Sequence, residues 1–388
     1  MIRESRRLAA VQTPVIPIVG RWISETPGTI SLGQGMVSYG PPPEVMAAFA
    51  RFGASADDHR YGPVEGVPAL IGALEEKLAR ENQIVVRGRS RVVVTAGGNL
   101  AFMNAVLAIT DPGDEIVLLA PYYFNHEMAV EMAGCRVVPA ATTAAREIDL
   151  DAIRRAITPR TRAVVTVSPN NPTGVVYAEA SLRDVNTLCR ERGVFHIHDE
   201  AYEYFTYNDA AHFSPGSIEG APAHTISLYS MSKAFGLAGW RIGYQVIPES
   251  LWDAVNKIQD TILICAPSAS QLAARAALEV GPAYTRSHLP ALDAMRRKIS
   301  DALAGPSVPC DVPEALGAFY YFVRVHASID SMTLCERLIR EHRVAALPGS
   351  AFGATDGCYL RVSYGALDER TAAEGVSRLA RGLQALAT

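Results

Sequence analysis

Apolar runs rich in valine and isoleucine alternate with stretches of helical periodicity from about residue 91 onward. Such alternation is typical of strands joined by crossover helices in a mainly parallel sheet. The predicted strands cover residues 92–95, 115–120, 163–168, 194–198 and 225–229. Helices are predicted over 99–109 and 179–192, with a turn at 111–114. The pattern predicts an α/β domain whose functional groups lie just past the carboxyl ends of the strands.

The pattern changes from about residue 281, where helical segments precede predicted strands at 318–325 and 359–364. We interpret this part as a smaller α+β domain that also recruits the N-terminal segment. The predicted division is an N-terminal segment over 1–45, a large domain over 46–280 and a small domain over 281–388.

Composition narrows the class of function. The chain has 388 residues with 49% hydrophobic and 20% charged residues, enough to bury a substantial core. A formal net charge of -4 argues against nucleic-acid or anionic membrane partners and favours small-molecule chemistry. The six cysteines form no Cys-x-x-Cys pair, so neither a zinc site nor a redox motif is indicated. With no secretory signal and no apolar run of about 18 residues, we expect a soluble, cytoplasmic protein.

Lys233 lies in the run 230–241 together with Ser230, Ser232 and Arg241. Its amine can form a Schiff base with an aldehyde, while the hydroxyls and the guanidinium can bind phosphate oxygens. Pyridoxal 5'-phosphate is the cofactor that combines these two groups. A single lysine after a strand is more often a solvated surface residue, so the interpretation depends on other segments.

Gly97, Gly98 and Asn99 lie between a predicted strand and a predicted helix. Backbone amides at a helix N-terminus bind anions, and glycines allow a phosphate to approach closely. A Gly-Gly pair can also be a simple tight turn, and the spacing matches neither common nucleotide-binding loop. Tyr123 follows the next strand, where its ring could stack on a pyridine or simply pack in the core.

Three more segments carry polar groups at the end of a predicted strand or on it. Asn171, in the turn 170–174, could donate a hydrogen bond to a ring oxygen. Asp199 could keep a pyridinium nitrogen protonated, since opposite charges about 4 Å apart attract by roughly 4 kcal/mol at an effective dielectric near 20. Tyr202 could reach the ring oxygen. Arg361, on an apolar strand, suits a bidentate grip on an α-carboxylate, with an internal salt bridge as the alternative.

These residues together resemble the fold type I, class I/II pyridoxal-phosphate-dependent aminotransferases, over residues 31–365. The resemblance implies that Lys233 forms the internal aldimine, that Asp199 pairs with the pyridine nitrogen and that Tyr123 stacks on the ring. Asn171 and Tyr202 would hold the ring oxygen, and Lys233, Asp199 and Tyr202 would be the catalytic residues. The implied phosphate ligands are Gly97, Gly98, Asn99, Ser230, Ser232 and Arg241. The implied substrate-binding residues are Gly35, Asn171 and Arg361.

The resemblance also implies a homodimer with shared active sites. Tyr61 looks like the family tyrosine that reaches the phosphate of the neighbouring subunit. His126 occupies a position from which family members support the aspartate, although an ordinary helix histidine is an equal alternative.

The implied reaction is ping-pong transfer of an amino group from an amino acid to a 2-oxo acid. Residues 121–125, 257–260 and 360–365 look like the plant and bacterial branch that acts on methionine and aromatic amino acids. Residues 261–267 are apolar and lie where the family often lines the side-chain pocket. The alternatives are aspartate as donor, β-elimination from the same cofactor, and, more remotely, a non-catalytic regulator that binds the cofactor.

Overall fold

The computed structural model describes residues 4–387, so residues 1–3 and 388 of the predicted division lie outside the described chain. Its strands are β1 (Ile30–Ser31), β2 (Ser90–Thr95), β3 (Glu115–Ala120), β4 (Arg136–Ala141), β5 (Thr161–Val167), β6 (Phe195–Asp199), β7 (Thr225–Ser230), β8 (Gly243–Pro248), β9 (Cys310–Asp311), β10 (Tyr320–Val325), β11 (Val344–Ala345), β12 (Leu347–Pro348) and β13 (Cys358–Ser363).

The α-helices are α1 (Arg6–Ala10), α2 (Val15–Glu25), α3 (Pro43–Phe49), α4 (Pro68–Glu81), α5 (Gly98–Ile109), α6 (Phe124–Met132), α7 (Leu150–Ala156), α8 (Glu179–Arg192), α9 (Met231–Ala234), α10 (Trp252–Ile262), α11 (Ser268–Val280), α12 (Ala283–Leu303), α13 (Ser331–His342) and α14 (Glu369–Leu386). None of the helices within residues 4–387 is both long enough and apolar enough to cross a membrane.

The largest sheet has seven strands in the order β2-β8-β7-β6-β5-β3-β4. All neighbours are parallel except β8, which is antiparallel to both β2 and β7. The predicted α/β class with a mainly parallel sheet is therefore confirmed. The predicted bounds of β3 and α8 agree with the structure, whereas β4 and β8 have no counterpart among the predicted strands.

Alternation along the strands places apolar side chains on both faces of this sheet. In β3, Ile116 and Leu118 pack with Phe102 of α5 on one face. Val117 and Leu119 pack with the buried side chains of α8 on the other face. Because helices cover both faces, residues 116–120 of β3 are all apolar, which is the pattern that predicts such a strand from sequence.

A smaller unit contains an antiparallel sheet of order β12-β13-β10-β9. The helices α12, α13 and α14 contribute buried side chains to its core, as does α2. The N-terminal segment joins this unit because Ile30 and Ser31 pair in parallel with Val344 and Ala345. A smaller α+β part that recruits the N-terminal segment is thus present, while the residue bounds of the division remain predictions.

Candidate active site

A pocket of about 400 Å³ lies past the carboxyl ends of the parallel strands, on the side of the sheet next to β10 and β13. This volume is within the usual range for small-molecule sites. Its walls include every predicted site residue except Gly97 and Tyr61. The predicted residues that line it are Gly35, Gly98, Asn99, Tyr123, Asn171, Asp199, Tyr202, Ser230, Ser232, Lys233, Arg241 and Arg361.

One end of the pocket is formed by the start of α5 and the loop around Arg241. Gly97 caps α5 at φ +88°, and a Cβ placed on it would lie 2.6 Å from Nη2 of Arg241. The guanidinium therefore packs against the bare Cα of Gly97, which explains a glycine at this position. The hydroxyls of Ser230 and Ser232 lie on the β7–α9 turn beside it. Amides of a helix N-terminus, two hydroxyls and one guanidinium form a donor set suited to a phosphate.

Lys233 projects into the middle of the pocket from α9. Its Nζ donates a hydrogen bond to the carbonyl oxygen of Gly35, at 2.6 Å. Burial lowers the pKa of Lys233 from 10.5 to about 8, helped by the positive charges of Arg361 and Arg241 and opposed by Asp199. About one amine in ten is then neutral at pH 7, compared with fewer than about one in a thousand at the ordinary value. The amine is thus prepared to act as a nucleophile or base.

Asp199 ends β6 with its carboxylate at the pocket wall. Its Oδ2 lies 3.1 Å from Nε2 of His126, and its Oδ1 accepts a hydrogen bond from the amide of Ala201 at 3.0 Å. The His126 ring is only 3% exposed and stacks on Phe102 at 4.0 Å between centroids. These contacts fix the carboxylate in place, so His126 contacts Asp199 rather than being an ordinary helix histidine.

Arg361 is 2% exposed, and no Asp or Glu within residues 4–387 forms an ion pair with it. Its Nη1 donates to Oδ1 of Asn171 at 3.0 Å, its Nη2 donates to the carbonyl oxygen of Gly33 at 2.7 Å, and its Nε has no hydrogen-bond partner. The alternative of an internal salt bridge is therefore wrong. A buried guanidinium with no carboxylate partner is costly unless an anion binds there.

Asn171 is oriented by this contact. Because arginine only donates hydrogen bonds, Asn171 presents its Oδ1 to Arg361 and leaves its amide nitrogen 3.5 Å from the hydroxyl of Tyr202. An amide donor and a phenol therefore face the same side of the pocket, as the prediction of two groups for one ring oxygen requires.

Tyr123 lines the pocket next to the Asp199 carboxylate. Its hydroxyl accepts a hydrogen bond from Nδ2 of Asn125 at 2.8 Å, and its ring meets His126 edge-on at 5.2 Å between centroids. Tyr123 therefore both lines the pocket and packs against the apolar core of the smaller unit.

Two predicted segments lie away from the pocket of the single chain. Tyr61 is 81% exposed, and residues 261–267 do not line the pocket within the described chain. Sequence reasoning did not assign the other residues of the pocket wall; some are neighbours of predicted residues, whereas Pro14, Ile16 and Tyr320 come from other parts of the chain. The unassigned lining residues are Pro14, Ile16, Gln34, Met36, Phe124, Asn125, Val167, Ala201 and Tyr320.

The donor set fits pyridoxal phosphate from end to end. A phosphate-binding end, an amine of lowered pKa, a fixed carboxylate and two donors for a ring oxygen line one pocket. The orphaned Nε of Arg361 leaves a place for a substrate carboxylate beside them.

Comparisons with known proteins show the family of this chain. Residues 27–379 match the family model for aminotransferase class I and II. The chain belongs to this family. An aromatic aminotransferase of Arabidopsis thaliana is 34% identical over 391 residues, with 98% of this chain and 96% of the relative covered. The aspartate/prephenate aminotransferase of Thermus thermophilus is 35% identical, with 91% of each chain covered.

Solved structures give the same result. A double mutant of the Thermus thermophilus aspartate aminotransferase superposes with a TM-score of 0.91 at 32% identity, covering 98% of this chain and 100% of that chain. As a class I/II aminotransferase, the protein is a pyridoxal-phosphate-dependent enzyme that moves an amino group from an amino acid to a 2-oxo acid.

Proposed function

We propose that this aminotransferase uses Lys233 as its catalytic amine and takes an aromatic amino acid or methionine as its amino donor. The observation that supports this most is the unpaired, buried guanidinium of Arg361, which shares a pocket with the Lys233 amine of lowered pKa. An anion-binding group and a proton-transfer group in the same pocket suit an α-amino acid.

When bound, pyridoxal phosphate supplies an aldehyde and an electron-withdrawing ring that stabilises negative charge at the substrate Cα. Arg361 would hold the α-carboxylate of the amino acid. The Lys233 Nζ would act as the general base and acid that takes up and returns the proton of Cα. Asp199, fixed by His126, would favour the protonated form of the ring nitrogen, because the carboxylate is negatively charged.

We also propose that groups at both ends of the pocket would hold the cofactor. Arg241, Ser230, Ser232 and the first amides of α5 bind the phosphate. Asn171 and Tyr202 donate to the ring oxygen, and Tyr123 stacks on the ring.

Support for an apolar donor comes from the remaining walls. Ile16, Met36 and Phe124 line the pocket, and the only basic residues among its described lining are Lys233, Arg241 and Arg361. Each of these three has a role already, so the single chain offers no further cation for a side-chain carboxylate. Burial of a phenyl or thioether group stabilises the complex by about 1.5–3 kcal/mol.

The test is the specificity constant for separate donors with one common 2-oxo acid. We expect kcat/KM for phenylalanine and methionine to exceed that for aspartate by at least about tenfold. A value for aspartate far above the other two would reject the apolar pocket and leave the aminotransferase activity untouched. Aspartate is the competing donor because relatives from Thermus and Pyrococcus are named aspartate aminotransferases.

A homodimer with shared sites is part of the same proposal. The side chain of Tyr61 is 81% exposed in the single chain, as expected of a residue that serves a neighbouring subunit. Analytical ultracentrifugation should give twice the chain mass of 41.7 kDa. Tyr61→Phe should weaken pyridoxal phosphate binding without lowering the stability of the cofactor-free protein; unchanged binding would remove Tyr61 from the site.

A further inference from the structure

The hydroxyls of Tyr202 and Tyr320 lie 2.7 Å apart in the wall of the pocket. Tyr202 follows β6 of the large sheet, whereas Tyr320 begins β10 of the antiparallel sheet. The residues are 5% and 0% exposed, so bulk water does not compete for their contact. This hydrogen bond therefore joins the two sheets at the site.

Each of the two phenols has a single proton. Burial raises the pKa of Tyr202 well above 10 and that of Tyr320 to about 12, where the charge of Arg361 opposes the increase. Within residues 4–387, Tyr202 is the only hydrogen-bond partner of the Tyr320 hydroxyl. One hydroxyl must therefore donate and the other must accept.

The proposed function assigns the proton of Tyr202 to the ring oxygen of the cofactor. Only the proton of Tyr320 then remains for the contact between the two hydroxyls. We propose that Tyr320 is a positioning residue that donates to Tyr202 and so directs the Tyr202 proton at the ring oxygen. This inference rests on the proposed role of Tyr202.

The surroundings of Tyr320 hold its hydroxyl at this place. The Arg361 guanidinium lies 4.5 Å from the centre of the Tyr320 ring. A Cβ on Gly35 would lie 2.8 Å from the Tyr320 hydroxyl oxygen, and a Cβ on Gly174 would lie 2.6 Å from the Tyr320 carbonyl oxygen. Both glycines therefore leave space that Tyr320 occupies, so the hydroxyl has little freedom to turn away from Tyr202.

A hydroxyl that accepts a hydrogen bond becomes a stronger donor itself. The hydrogen bond that it donates is strengthened by about 10–30%. With pyridoxal phosphate bound, a stronger hydrogen-bond donor at its ring oxygen would stabilise negative charge on that oxygen. The pH-dependent absorption change of the holoenzyme would then have its midpoint at lower pH. Removing the Tyr320 hydroxyl should raise the pH midpoint of the absorption change of the bound cofactor.

The experiment compares Tyr320→Phe with Tyr202→Phe, their double variant, and Tyr321→Phe as the matched control. Tyr321 lies on the same strand and also uses a buried hydroxyl, which donates to the carbonyl oxygen of Arg296 at 3.1 Å, outside the pocket. The measurements are the spectroscopic pH midpoint of each holoenzyme and the melting temperature of each cofactor-free protein.

We expect Tyr202→Phe to raise the midpoint by about one unit or more, as loss of a hydrogen bond to a charged acceptor requires. Tyr320→Phe should raise it by about 0.1–0.3 unit for each unit that Tyr202→Phe produces, through the transmitted fraction of that effect. Tyr321→Phe should leave the midpoint unchanged, and the double variant should match Tyr202→Phe alone.

The possible outcomes distinguish a failure of the proposed role of Tyr202 from a failure of the inference about Tyr320. If Tyr202→Phe does not move the midpoint, the proposed role of Tyr202 fails. If Tyr202→Phe moves it but Tyr320→Phe behaves like Tyr321→Phe, or if the Tyr320 effect persists without Tyr202, the inference is overturned and the proposed function stands.

A second measurement is independent of the spectrum. Gly35→Ala should lower the melting temperature of the cofactor-free protein by less in the Tyr320→Phe background, since the nearest remaining Tyr320 atom is then a ring carbon at 3.8 Å. An equal loss in both backgrounds would contradict a confined hydroxyl.

Discussion

The lowered pKa of Lys233 makes a prediction about stability that needs no substrate. In the cofactor-free protein, replacing Lys233 with methionine removes an amine whose pKa burial lowers from 10.5 to about 8. Between these two values the unfolded chain binds more protons than the folded chain. Stability of the wild-type protein must therefore rise with pH through this window, whereas Lys233→Met lacks this contribution.

The magnitude follows from the two pKa values. Relative to an amine of ordinary pKa, the lowered pKa costs the folded protein about 3.4 kcal/mol at pH 7 and about 1.4 kcal/mol at pH 9.5. Wild type should therefore gain about 2 kcal/mol relative to Lys233→Met between pH 7 and pH 9.5. The charges of Arg361 and Arg241 are part of the cause, so the penalty belongs to the assembled pocket.

The assay is urea unfolding of both cofactor-free proteins at the two pH values. Lys257→Met, which removes an exposed lysine of α10, controls for the loss of one positive charge. The difference in free energy of unfolding between wild type and Lys233→Met should change with pH. If this difference stays constant, or if wild type becomes less stable relative to Lys233→Met as the pH rises, the burial of Lys233 as an amine of low pKa is refuted.

Two further substitutions test the ends of the pocket. Gly97→Ala should destabilise the cofactor-free protein by about 1–3 kcal/mol through its φ of +88° and should weaken pyridoxal phosphate binding about tenfold by displacing Arg241. Gly98→Ala is the stability control, because its Cβ would meet no atom nearer than 3.7 Å. Equal losses of unfolding free energy for the two variants in a urea titration would contradict the Gly97 contact. Asp199→Asn should still bind the cofactor but should lower turnover about a thousandfold, because about 4 kcal/mol of attraction to the ring nitrogen is lost. Turnover within tenfold of wild type would exclude the proposed pairing.

The large sheet was predictable because its strands are buried on both faces. Apart from Glu115 at its start, a strand such as β3 is then apolar at every position, and Asp111 to Asp114 mark where it begins. The strand β4 was not predicted because its side chains are largely exposed or half-buried and it contains Pro139. The direction of β8 depends on pairing with β2 and β7, which no local pattern encodes.

The site was predictable where chemistry follows directly from a strand end. Asp199 ends β6 and Ser230 ends β7, so parallel strands bring them to one edge. Ile16 and Met36 reach the pocket from the N-terminal segment, whose place depends on the pairing of Ile30 with Val344. Contacts over such sequence separations carry no local signal.

The role proposed for Tyr320 could not be predicted from the sequence for the same reason. It lies in an apolar strand where a core tyrosine is ordinary, and only the tertiary structure places its hydroxyl 2.7 Å from Tyr202. Its role depends on that distance and on the absence of another partner within the described chain.

The central claim is tested most directly by the visible spectrum of the holoenzyme as single amino donors are added without any 2-oxo acid. We expect phenylalanine, methionine and tryptophan to remove the yellow absorption of the bound cofactor, and we expect Lys233→Ala not to turn over with any donor and 2-oxo acid. Bleaching by aspartate alone would retain the chemistry and contradict the apolar pocket. A protein that stays colourless after pyridoxal phosphate is supplied, or a Lys233→Ala variant with substantial steady-state transamination, would contradict the claim that Lys233 carries the reaction.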